Sequence, residues 1–563
     1  MHVPTISDDI QKRICILFFV LVLLATIAPA DAAWKAKIRS TTNTARWTDE
    51  AAIPVVTNAA SAMSVDVDTT TKYQTIDGFG GCFNELGWKA LQSLPANAAD
   101  SVIQSLFDTT SGCKFNICRM PIGASDYALN WYSLNDNAND TLMTKISIAR
   151  DSACLLQYIK AAMKYRPALK LWGSPWSPPE WMKDNNAYQG GHIQWTPTIL
   201  NAYTLYLEKA IQLYREQGIN FYALAFQNES TQWPNYPGCE WDATQHRDFI
   251  KKYLGPKFAD DNLDCEIWTP TMNCDQMSFF DAMLGDPLAS SFITTICFQW
   301  NSKNVLSQIN TKYPYPQFKR YQTETECGDG TNTWSYAVDP TFYYMKFYFD
   351  GMASAYMQWN MVLDQTGFSH WGWAQNAMIT IDTTNKKVVY NPQYYVAKHF
   401  SYYVKQNAKK IKTGGNFADQ VAFQNPDGSV VVVLSNATPS AVTLGITVGS
   451  SMINVSLPKN SFSTAVLYDS SANGVIYKDC SRAGAGPAVR MTRVGNAITL
   501  MPPQGSSFCL RLVGVNGAVK KTFSSGAGNR CTIKTNELAS GLYVLTGFVN
   551  GKKFTANLPI VRN

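Results

Sequence analysis

The chain has 563 residues, 46% hydrophobic and 16% charged, enough to bury at least one large core, and it is neither disordered nor collagen-like. Its formal net charge of +6 is mild for this length and no long basic block occurs, so nucleic acid is not an expected partner. Aromatic residues deviate most, with Trp 16, Tyr 28 and Phe 27 making 13% of the chain; such a load suits a cleft that stacks flat, half-apolar ligands as well as a core.

Lys12 and Arg13 precede a 15-residue apolar run, Ile14–Ala28, that leads to the small residues Ala30-Asp31-Ala32. The run is too short to span a bilayer comfortably, and its end has the form of a cleavage site. Residues 1–32 therefore read as a secretory signal peptide, the mature chain is expected to lack a membrane span, and the protein is expected to be secreted or at the cell surface. Twelve of the thirteen cysteines lie beyond this segment. Disulfides such as Cys113–Cys118, Cys265–Cys274 or Cys509–Cys531 are open to a secreted chain, and buried free thiols are the other reading.

Residues 33–72 are β-like and are expected to lend strands to a side sandwich. From 73 to 403, short β-rich runs alternate with amphipathic stretches. Phe115–Met120, Leu169–Gly173, Phe221–Gln227, Ile293–Trp300 and Arg320–Glu324 read as strands; Ser152–Tyr165, Thr198–Gln217 and Ala243–Tyr253 read as helices. Strand and helix alternating over this length imply parallel pairing with right-handed crossovers, for which a (β/α)8 TIM barrel is the common closed solution. Residues 404–495 change texture: Gln420–Phe423, Ser429–Leu434, Ala441–Thr447 and Ser463–Tyr468 are short strands between Asn-Pro-Asp-Gly and Gly-Ser turns, as in a β-sandwich. A small β-rich segment, 496–563, closes the chain.

In a barrel of this kind, function sits at the C-terminal ends of the strands. Two runs end in carboxylates there: Gln227-Asn228-Glu229, and Tyr321-Gln322-Thr323-Glu324-Thr325-Glu326. Glu229 and Glu324 are 95 residues apart, about three βα units, which places them across the barrel mouth from one another. Glycoside hydrolysis needs such a pair, one carboxyl to protonate the leaving oxygen and another to attack or stabilise the anomeric carbon. Asn228 supplies a donor suited to a sugar 2-hydroxyl. Glu324 and Glu326 lie two apart, so strand periodicity points both to one side and does not choose between them. Arg119, near another strand end, could hold a catalytic carboxylate ionised or serve a structural ion pair. Trp233, four residues beyond Glu229, could be core or could stack an aglycone sugar. No G-x-S-x-G elbow, H-E-x-x-H, phosphate loop or dinucleotide fingerprint occurs, and the five histidines are scattered, so no metal and no cofactor are expected.

Several longer segments carry a resemblance: Asp77-Gly-Phe-Gly-Gly-Cys-Phe-Asn-Glu-Leu-Gly-Trp88, Arg119-Met-Pro-Ile-Gly-Ala-Ser-Asp126, Gly173-Ser-Pro-Trp-Ser-Pro-Pro-Glu-Trp-Met-Lys183, Gln227-Asn-Glu-Ser230, His246-Arg-Asp-Phe-Ile250 and Gln358-Trp-Asn360. In order and over about 73–405, they resemble glycoside hydrolase family 30, which includes glucosylceramidases, β-1,6-glucanases, β-glucosidases and xylanases. The resemblance implies a retaining mechanism on a (β/α)8 barrel with a flanking β-sandwich. It also implies Glu229 as acid/base and Glu324, after the small Thr323, as nucleophile. It further implies sugar contacts from Glu85, Asp126, Trp176, Trp300 and Trp359. Glu85, Gln299 and Gln358 depart from the glucosylceramidase branch, which has Asp, His and Asp there, and these departures turn the expectation toward a polysaccharide enzyme. The expected partner is accordingly a β-linked oligo- or polysaccharide, best an endo-acted β-1,6-glucan. An exo-acting β-glucosidase or glucosylceramidase-like enzyme and a non-catalytic carbohydrate-binding protein are the alternatives. Residues 496–563 resemble the secretion-sorting β-domains of gliding and fibre-degrading bacteria, which implies a secretion-machinery partner; a small carbohydrate-binding or capping domain is the other reading.

Overall fold

The computed structural model describes residues 34–57, 61–469 and segments between 490 and 560. The expected signal peptide lies outside the described residues. Eight parallel strands close into a barrel: β1 (Gly78–Cys82), β2 (Ile117–Ile122), β3 (Lys170–Pro175), β4 (Phe221–Ala225), β5 (Glu266–Trp268), β6 (Ile293–Gln299), β7 (Lys319–Glu324) and β8 (Ala355–Asn360). Closure is made by β8 on β1, where Ala355 pairs with Gly78 and Gln358 with Gly81. The five strands read from sequence are all in this ring.

The barrel interior is a packed core. Trp172 and Trp268, with ring centroids 5.2 Å apart, fill it against the small side chains of Ala223, Ala225 and Ala355; pairing large with small fills the centre without voids. A second, larger core lies between the strands and the surrounding helices and includes Leu171, Leu224, Ile296, Leu207 and Ile211. The glycines of β1 have a specific cause: a Cβ on Gly80 would lie 1.6 Å from the Ile117 carbonyl oxygen on β2, so only glycine permits that approach.

Of the expected helices, Pro197–Glu216 forms as read, while the one expected over Ser152–Tyr165 is broken at Cys154 into Ala149–Ala153 and Leu155–Tyr165. The third runs Ala243–Phe249 and continues through a π-turn, Ile250–Leu254.

Beside the barrel, Trp34–Thr42 and Ser64–Thr75 join Lys409–Gly414, Gln420–Gln424, Val430–Asn436, Val442–Val448, Ser451–Leu457 and Ser461–Asp469 in one wrapped sheet, completed by the short strands Ala51–Ile53 and Val55–Thr57. Buried polar contacts tie it to the barrel. The two ring nitrogens of His399 meet Thr464 Oγ1 at 2.8 Å and Thr41 Oγ1 at 3.0 Å, and Gln74 Nε2 donates to the Phe349 carbonyl at 2.7 Å. Described by itself, the region beyond residue 490 holds a three-stranded and a four-stranded antiparallel sheet around Ile498, Leu500, Leu510, Leu512 and Leu545. All eleven cysteines among the described residues are free thiols, so the three pairings suggested above do not form. No helix among the described residues is long and apolar enough to cross a membrane.

Candidate active site

Glu229 and Glu324 face one cleft of about 620 Å³ at the C-terminal mouth of the barrel. Glu229 follows the end of β4, where its backbone turns sharply. Asn228 N–H donates to the carbonyl of Pro175, the last residue of β3, at 2.8 Å, and Glu229 N–H donates to the Thr271 carbonyl beyond β5 at 3.2 Å. Between these anchors Glu229 takes φ +43°, a left-handed conformation that costs a non-glycine residue about 1 kcal/mol or more and that clusters at functional sites. Its carboxylate is gripped from both sides: Asn273 Nδ2 donates to Oε1 at 2.7 Å and the Tyr236 hydroxyl donates to Oε2 at 2.6 Å.

Glu324 ends β7 and is 5% exposed. The Arg119 guanidinium forms a close ion pair with its Oε2, and Gln299 Nε2 donates to the same oxygen at 3.0 Å. A bulge in β7, where Thr323 is passed over between the pairs Phe298–Gln322 and Gln299–Glu324, sets Gln299 opposite Glu324 and makes this bond reachable. Both donors fall on Oε2, which leaves Oε1 as the oxygen available to a reacting carbon. Burial pushes the Glu324 carboxyl well above its usual range, and Arg119 pulls back toward the ionised form. Arg119 is fully buried. Its second nitrogen donates to Asn228 Oδ1 at 2.6 Å and Ser174 Oγ at 3.2 Å, and its guanidinium carbon lies 4.3 Å from the centroid of the Trp176 ring. One guanidinium thus links the ends of β2, β3, β4 and β7.

Glu326 lies past the end of β7, in the loop, and also lines the cleft. It accepts the Gly328 N–H at 3.0 Å and receives neither Arg119 nor Gln299. Both thus face the cleft, Glu326 from the loop and not through strand alternation, and the electrostatic surroundings separate them.

The structure brings most of the sequence-predicted residues together. Asp126 lines the cleft at 4% exposure; Gln375 Nε2 lies 3.5 Å from its Oδ2, and its buried Oδ1 has no protein partner. Burial and the charge of Glu229 raise its carboxyl to about 7. Trp176 and Trp300 line the cleft as well. Asn228 sits beneath it, its Oδ1 occupied by Arg119, Thr271 and Gln299 and its Nδ2 3.5 Å from Glu229. Trp359 stands behind the wall, 5.3 Å from Trp176 between centroids, and does not line the large cleft. Glu85 requires a correction: it is 2% exposed, outside the cleft, and its carboxylate is taken by Arg150 Nη2 at 3.0 Å and the Leu129 N–H at 2.6 Å. Both donors fall on Oε2 and tie Glu85 to the loop after β2, outside the lining of the cleft.

Sequence reasoning missed Tyr236, Asn273, Trp373 and Gln375, which line the same cleft. Asn273 follows a strand of only three residues, too short to read by pattern. The other three sit in long loops after β4 and β8, where no periodicity marks them. Among the described residues no group of three His, Cys, Asp or Glu side chains is placed to hold a metal ion.

A parallel barrel with two glutamates in unlike surroundings across its mouth defines a glycoside hydrolase. The TIM-barrel domain of glycosyl hydrolase family 30 matches residues 76–404, and the beta sandwich domain of the same family matches 407–465. The chain belongs to that family. It is 29% identical over 406 residues to putative glucosylceramidase 2 of Caenorhabditis elegans, covering 68% of this chain and 78% of that protein. It is 27% identical over 420 residues to endo-1,6-beta-D-glucanase neg1 of Aspergillus fumigatus, covering 69% and 84%. Among solved structures, SrfJ from Salmonella typhimurium superposes with a TM-score of 0.71 at 25% identity, covering 77% of this chain and 99% of that one.

Proposed function

We propose that the protein is a secreted, retaining endo-β-glucanase whose preferred substrate is β-1,6-glucan. Glu324 Oε1 attacks the anomeric carbon while Glu229 protonates the departing glycosidic oxygen. Glu229 then takes a proton from water, which attacks the same carbon, breaks the ester to Glu324 and releases the sugar with its β configuration kept. The ion pair with Arg119 favours an ionised nucleophile. The Tyr236 and Asn273 bonds fix the acid/base, and the free oxygen of Asp126 is an acceptor suited to a sugar hydroxyl.

One observation carries the choice of a glycan over a lipid-bearing substrate: none of the residues lining the cleft is Leu, Ile, Val, Met or Phe. The walls are mainly tryptophan and tyrosine faces with amides and carboxylates, surfaces that match the flat apolar faces and hydroxyls of sugars. The cleft volume lies within the range of pockets for drug-sized ligands, roughly 300–1,000 Å³, room for an oligosaccharide. The likeness to an endo-1,6-beta-D-glucanase supports the linkage, and the apolar N-terminal run supports secretion. Incubation with linear β-1,6-glucan should give mixed oligosaccharides early in the reaction, with glucosylceramide turned over far more slowly. Glucose as the sole early product would favour an exo-acting β-glucosidase, and faster turnover of glucosylceramide would overturn the glucan assignment.

A further inference from the structure

Trp233 is 59% exposed, an unusual state for so large an apolar ring. Its position is enforced. A Cβ built on Gly190 would lie 2.2 Å from the indole Cε2 and Nε1, so one face of the ring rests on a glycine backbone that no other residue would permit. The segments on either side of this contact are tied together. The buried Lys183 donates from Nζ to the Tyr188 carbonyl at 2.9 Å and the Gly238 carbonyl at 2.7 Å, and Gln189 Nε2 donates to the Asn235 carbonyl at 2.7 Å. The loop that carries Trp233 is thereby pinned to the loop that carries Gly190, and the ring has no route into the core. What remains is a rigid indole with one face covered, lining the cleft four residues after Glu229.

We propose that Trp233 is the stacking platform for the sugar on the leaving-group side of the scissile bond. This rests on the double-displacement reading above. Glu229 delivers its proton to the leaving oxygen, so the wall built by residues 229–236 borders the departing sugar. A preformed flat ring there binds a pyranose face at little ordering cost. In the second half of the reaction the same surface receives whatever attacks the glycosyl-enzyme, so it governs the competition between water and an incoming sugar.

The test uses β-D-glucosyl fluoride, a donor without an aglycone ring, and methyl β-D-glucoside as acceptor. Glu324 displaces fluoride, the C–F bond breaking as the ester forms. An acceptor hydroxyl then attacks the anomeric carbon, its proton passes to Glu229, and Glu324 leaves as carboxylate. Fluoride release measures formation of the intermediate, and the ratio of disaccharide to glucose measures acceptor occupancy. Trp233→Ala is expected to lower that ratio about tenfold, Trp233→Phe by less. Gly190→Ala, which displaces the ring without removing it, is expected to lower it too. An unchanged ratio in Trp233→Ala, or fluoride release without any transfer in the wild type at high acceptor, would overturn this assignment alone. No fluoride release by the wild type would overturn the double-displacement reading and the assignment with it.

Discussion

Glu324→Gln is expected to reduce turnover of β-glucan by about 10⁴-fold or more, because the amide can neither attack the anomeric carbon nor leave as a carboxylate. Glu326→Gln is expected to keep activity within about tenfold of the wild type, a range set by binding contacts alone. Both side chains line the cleft, but only Glu324 receives the Arg119 and Gln299 donors that organise a reacting carboxylate. Initial rates on an oligosaccharide, with thermal melting to verify folding, check the pair. The reverse pattern would move the nucleophile two residues along.

Arg119→Met is expected to remove most activity and to shift what remains to higher pH. Burial raises the Glu324 carboxyl and the guanidinium opposes that rise. Without the guanidinium the carboxyl rises further, so the ionised nucleophile persists only at higher pH, and the acid limb of kcat/KM moves upward. Stability should follow the same sign. With a folded-state value above the unfolded one, the native variant binds more protons than the unfolded chain across that window, so its stability falls as pH rises through it. Breaking a buried pair costs about 3–5 kcal/mol where the remaining charge is kept, so the deficit should be largest at alkaline pH and smallest at acid pH. Melting curves across pH 5 to 9 and the pH profile of kcat/KM check both. Arg119→Lys should restore part of the acid limb, because a point charge remains without the fork that spans Glu324 and Asn228.

What was legible in the sequence followed from side-chain pattern. β2, β3, β4 and β6 carry apolar or β-branched runs and were readable, while β7, Lys-Arg-Tyr-Gln-Thr-Glu, was read with only Tyr321 and Thr323 as strand formers. β1 is Gly-Phe-Gly-Gly-Cys, and its glycines, which ordinarily argue against a strand, are there because β2 approaches too closely for a Cβ. β5 has three residues, and β8, Ala-Tyr-Met-Gln-Trp-Asn, mixes its pattern because it is buried throughout. At the site, the two carboxylates were visible as strand-end residues, and the choice between Glu324 and Glu326 was not, since it depends on a guanidinium 205 residues away in sequence. Glu85 misled for the same reason: its partner, Arg150, comes from a helix 65 residues on. Tyr236 and Asn273 reach Glu229 from loops whose conformation no local rule dictates.

The central claim is that these two glutamates act by double displacement, and the most direct measurement is a proton NMR time course of the purified enzyme on linear β-1,6-glucan. The account predicts that the newly formed reducing ends are β-anomeric first, with the α signal growing only by mutarotation, the outcome of a retaining double displacement. α-Anomer appearing first would mean a single inverting displacement and would contradict it.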